Sequence, residues 1–77
     1  MEVAPIRYFE RKLEELNRRP SVRIEIDKYN SIPEMNSLYR LMEKMGIEVK
    51  ELNDREIVVE FSGEKRKIEL IYREFFV

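Results

Sequence analysis

The chain is expected to be α+β: a two-layer sandwich in which two helices cover one face of a four-stranded mixed sheet, in the order α-β-α-β-β-β. Three observations lead there. The apolar period switches from 3.6 to 2 and back along the chain, each strand-like run has one apolar face, and no linker, repeat or low-complexity stretch interrupts the 77 residues. Residues 1–77 therefore read as one domain, with room for one core.

Pro5 suits the first turn of a helix, where a missing N–H is harmless. Ile6, Phe9, Leu13 and Leu16 recur at helical spacing, Glu14 and Glu15 precede Arg18 and Arg19 by four, and Pro20 ends the element. From Ser21 to Asp27 the period becomes 2: Val22, Ile24 and Ile26 point one way, Arg23, Glu25 and Asp27 the other. Ser31 and Glu34 form the pattern of a capping box, which expects Ser31 as N-cap of a second helix. Met35, Leu38, Leu41, Met42 and Met45 give that helix its apolar face, and Gly46 stands where a left-handed cap is wanted. Ile47 and Val49 begin a strand, Asn53-Asp54 mark a turn, and Ile57, Val59 and Phe61 form the inner face of the next strand. Ser62-Gly63 turn the chain again, and Ile68, Leu70 and Tyr72 line the last strand. The unit from Val22 to Leu52 would be a right-handed crossover if its two strands were adjacent and parallel. The outer face would carry Arg23, Glu25, Glu48, Lys50, Glu60, Glu69 and Arg73.

Composition narrows the function classes. Charged residues make up 40% of the chain, against about 25% in ordinary soluble proteins, yet 15 basic and 16 acidic residues nearly cancel. A balanced surplus suits surface ion pairs better than a field aimed at a charged partner. Abundant Glu, Arg and Lys with no Cys, His, Trp, Thr or Gln resembles the composition of heat-adapted proteins. No run approaches the length of a membrane span, the N-terminal residues lack the pattern of a signal peptide, and there is no disulfide framework, so a cytoplasmic location and no membrane partner are expected.

Without Cys or His, Ser–His and Cys–His nucleophilic chemistry is excluded and the usual soft-metal ligands are missing. Ser21, Ser31, Ser37 and Ser62 each have a structural reading as strand start, cap, helix surface and turn. No catalytic residue, cofactor or metal is expected, and the chain reads as a non-enzyme. Asp27, Tyr29, Asn30 and Ser31 line the mouth between a strand end and a helix start, the place where open α/β sheets bind ligands. No glycine there lets a phosphate approach the backbone. Nucleic-acid binding would rest on Arg18, Arg19 and Arg23 or on Lys65-Arg66-Lys67, and the net charge of −1 speaks against it. More informative are Val58 and Ile71, which alternation puts on the polar side of the sheet, joined in phase by Phe75 and Val77. This apolar strip suggests association, with a homodimer or another protein as partner and the exposed final strand as the pairing edge.

Ala4-Pro5 leading helix one, the strand ending at Asp27, Ile32-Pro33 opening helix two and Gly46-Ile47-Glu48-Val49 entering a two-stranded tail resemble the TusA/SirA-like sulfur-carrier family. That family bears a persulfide on the cysteine of a Cys-Pro-x-Pro motif at its first helix. The corresponding Ala4-Pro5-Ile6-Arg7 lacks both the cysteine and the second proline, and the additional strand here is C-terminal instead of preceding that helix. The resemblance implies the fold and a docking role without sulfur transfer, because no thiol exists in the chain to carry sulfur.

Overall fold

The computed structural model describes residues 5–74. Helix α1 spans Ile6–Glu15, strand β1 Ser21–Asp27, a short 3₁₀ turn Lys28–Asn30, helix α2 Ser31–Met45, and strands β2, β3 and β4 Glu48–Leu52, Glu56–Phe61 and Glu64–Arg73. The element order is the expected α-β-α-β-β-β. Phe9, Leu13 and Leu16 of the first helical segment and Leu38 and Met42 of α2 meet Val22, Ile24, Ile26, Ile57, Val59, Ile68 and Leu70 in one core, so both helices lie on the same face of the sheet.

The strands lie in the order β1-β4-β3-β2. β1 and β4 are parallel, with Val22 opposite Ile68 and Ile24 opposite Leu70, and the other two pairs are antiparallel. The adjacent β1–α2–β2 crossover is therefore replaced by one that carries the chain to the far edge of the sheet. Two tight connections fold β2, β3 and β4 into a meander whose third strand returns parallel to β1 and joins it. The sequence is suited to this arrangement. β4 is ten residues long with buried Ile68 and Leu70, whereas all five residues of β2 are exposed, as an edge strand requires. Because β4 is central, the final strand is not the exposed pairing edge expected from the sequence.

Local chemistry explains most boundaries. Gly46 has φ 76° and caps α2 through its own N–H and that of Ile47, which reach the carbonyls of Glu43 and Met42. Ser62 and Gly63 both have positive φ, 54° and 78°, as a two-residue hairpin loop needs to match strand twist. At the end of α1 the N–H groups of Leu16, Asn17 and Arg18 bond three residues back, so Arg18 and Arg19 lie in a tightened turn past the helix. Pro5 precedes the first helical residue instead of occupying it.

The capping box does not form. The 3₁₀ turn places Asn30 ahead of the helix, and Ser31 is already helical. The Glu34 carboxylate instead leaves the helix and accepts from the Asp27 N–H at 2.9 Å, so a residue expected at the cap is 6% exposed within the structure. Ile6, at 45% exposure, lies at the solvent end of its stripe, and Tyr72 is exposed because β4 runs beyond the end of β3.

Candidate functional site

The mouth at the end of β1 is closed on itself. Asp27 accepts from the Tyr29 N–H at 3.0 Å while its own N–H goes to Glu34. Tyr29 is 73% exposed, and its hydroxyl donates to Glu74 at 2.9 Å. Lys28 lies 3.6 Å from the same carboxylate and 5.9 Å from the Tyr29 ring centre. Asn30 and Ser31 are half-buried where the 3₁₀ turn passes into α2. Asp27, Glu34 and Glu74 thus bring three carboxylates to this end. Burial first, and then the charge of Asp27, push Glu34 above the usual carboxylate range, against the lowering effect of its backbone hydrogen bond. Among the described residues no three acidic side chains stand together as a metal site.

The basic clusters are split by geometry. Arg66 points to the helix side, where its Nε donates to the Leu16 carbonyl at 2.8 Å and satisfies an orphan group at the end of α1. Lys65 and Lys67 occupy the opposite face, and Lys67 lies 3.6 Å from Glu56. Arg19 pairs with Glu15 at 3.7 Å and Arg23 with Glu69 at 3.3 Å. These four side chains border a shallow recess of about 380 Å³ with Lys12, Ser21 and Val22, a surface of mixed sign.

The outer face of the sheet is ordered in cross-strand rows. Val58 lies between Lys67 and Glu51, and Ile71 lies opposite Glu25. Both are half-buried. Between them runs the charged row Arg23–Glu69–Glu56, so the two do not touch as neighbours in a strip. Phe75 and Val77 lie outside the described residues. Arg73 pairs with Glu25 across the parallel strands.

The two edges of the sheet differ. On β1 the outward N–H groups of Glu25 and Asp27 are taken by the Tyr8 hydroxyl, at 2.8 Å, and by the Glu34 carboxylate. Helix side chains thereby occupy the positions that an added strand would need. On β2, among the described residues, no side chain bonds to the strand's backbone. A bulge at Lys50 also changes which side chains β2 presents. Val49 faces Val59 and Leu52 faces Ile57, so both lie on the helix side, while Glu48, opposite Glu60, and Glu51, opposite Val58, lie on the outer side. Lys50 joins the outer side. Its ammonium is 3.1 Å from Glu48 and 3.9 Å from Glu60, and the hydrogen bond and charge of Glu48, then Glu60, hold it above the ordinary lysine range. Val49 and Leu52 remain 39% and 56% exposed on the face that the helices cover elsewhere.

Reading the sequence by strict alternation misses this edge. Its signal is the three-residue spacing of Val49 and Leu52 inside a strand, which period 2 cannot place on one face without a bulge.

Among the described residues, fold and surface together define a two-layer α+β domain in which helix side chains block one sheet edge at Glu25 and Asp27 and the other edge stays open. Comparison with protein-family models, with curated proteins and with solved structures finds no match. Among the described residues no helix is long and apolar enough to cross a membrane.

Proposed function

We propose that this chain is a small non-catalytic protein-interaction module that self-associates by extending its sheet. The observation that carries this reading is the contrast between the edges: Tyr8 and Glu34 block β1 at Glu25 and Asp27, whereas among the described residues β2 leaves its outer backbone open beside partly exposed Val49 and Leu52. Open strand edges recruit further strands, because unpaired N–H and C=O groups gain partners while adjacent apolar side chains leave water. This assigns association to an edge, in place of the outer-face strip of Val58 and Ile71 suggested by alternation.

A strand of five residues gives a small contact. Interfaces below roughly 1,200 Å² are weak or transient, so the complex should form at high concentration and dissociate on dilution. Sedimentation velocity with light scattering tests this directly. The mass is expected to rise toward twice that of the chain between about 10 μM and 1 mM, the range suited to a small interface. A monomer throughout that range overturns self-association.

A further inference from the structure

From the residues on the open edge we infer the pairing itself: β2 joins β2 of a second copy, antiparallel, about a two-fold axis passing between Lys50 and Glu51. This inference rests on the self-association reading above and names its register.

Antiparallel strands place opposite residues on the same face, so an allowed register must match helix-side with helix-side and outer with outer. The bulge gives β2 the sequence of faces outer, helix-side, outer, outer, helix-side for Glu48, Val49, Lys50, Glu51 and Leu52. Setting Lys50 opposite its own copy repels and also places Val49 against Glu51 of the opposite face. Moving one step toward Glu48 sets Glu48 against Glu51 and Val49 against Lys50. Moving one step the other way sets Val49 opposite Leu52 and Lys50 opposite Glu51, and the two-fold repeats each pair.

In that register two apolar pairs and two opposite-charge pairs form at once. Such cross-strand pairs are the contacts that stabilise antiparallel sheets. Both helix layers then fall on one side of a continuous eight-stranded sheet, and Val49 and Leu52 with their copies line the floor between them. A bulge and a lysine deter indiscriminate strand addition. Here they do so selectively, since a second copy presents a glutamate opposite each lysine.

The test exchanges charges and adds cysteines to a chain that has none. Lys50→Glu and Glu51→Lys each put two like-charge pairs at the axis and are expected to weaken dimerisation roughly three- to tenfold. The double variant restores opposite charges and should return to within about twofold of the original. The intrachain neighbours of Lys50 change equally in monomer and dimer, so they leave the comparison intact.

Separately, Val49→Cys and Leu52→Cys chains are mixed and mildly oxidised. Opposed residues lie about 5 Å apart, within disulfide reach, whereas each cysteine is roughly 10 Å along the strand from its own copy, at about 3.3 Å per residue. A disulfide linking the two variants, with little crosslinking of either alone, is the expected result. A dimer that ignores both charge reversals, or that crosslinks each cysteine variant to itself equally well, overturns the register while leaving self-association standing. A chain that stays monomeric up to millimolar concentration removes both.

Discussion

Glu34 is a buried carboxylate whose hydrogen bond and charge can be separated by substitution. Its Oε1 accepts from the Asp27 N–H at 2.9 Å, and the residue is 6% exposed. Glu34→Ala removes the acceptor of that partly buried N–H, a net loss of about 1 kcal/mol for a hydrogen bond of this kind. In a domain of this size that corresponds to a fall in melting midpoint of about 4–8 °C per kcal/mol. Glu34→Gln keeps a carbonyl oxygen in the same place but carries no charge to be desolvated or to repel Asp27.

The pH dependence follows from the raised pKa. A carboxyl whose folded pKa exceeds its unfolded one, about 4.3 for glutamate, contributes stability that is fully present below the unfolded value. That contribution is lost as pH rises through the folded value. The original chain should therefore lose ground to Glu34→Gln as pH rises from about 4, and at pH 7 the glutamine variant should be at least as stable. Urea denaturation followed by circular dichroism, at half-unit steps from pH 4 to 8, reads both effects. If Glu34→Gln is less stable at pH 7 and its deficit grows with pH, the ionised carboxylate stabilises the fold and the reasoning is refuted.

Three further outcomes are expected. Leu13→Ala should cost about 2–5 kcal/mol in urea denaturation, because the side chain is fully buried and leaves a cavity between helix and sheet; a loss under about 0.5 kcal/mol would place it outside the core. Gly46→Ala should cost about 1 kcal/mol, a purely backbone effect, since φ is 76° and a Cβ there meets nothing within 4 Å. Arg66→Met keeps the apolar stem but removes the bond to the Leu16 carbonyl, so a loss of about 1 kcal/mol is expected, against less than about 0.5 for Lys65→Met on the exposed face; equal effects of the two would show that the bond to α1 contributes nothing.

The number, type and order of the elements were legible in the amino-acid sequence because each depends on neighbours within a few residues. Val22, Ile24 and Ile26 alternate into the core, Leu38 and Met42 recur one helical turn apart, and Gly46 and Ser62-Gly63 supply the backbone angles that end a helix and reverse a strand. One face for the helices followed as well, since β1, β3 and β4 each alternate their buried residues onto the same side. Tertiary structure alone decided which strands are neighbours. The choice of β4 as partner for β1 is made by hydrogen bonds and ion pairs between residues more than forty positions apart, such as Arg23 with Glu69. The folded chain also turned Arg66 from part of a basic cluster into a tie on the end of α1, fifty residues away, while the 3₁₀ turn let Glu34 reach the Asp27 N–H in place of capping its helix. Placing β4 beside β1 also left β2 outermost, with a bulge bringing Val49 and Leu52 to one face. Local periodicity specifies which side of a strand is apolar, but only the closing of the sheet determines which strand keeps an open edge.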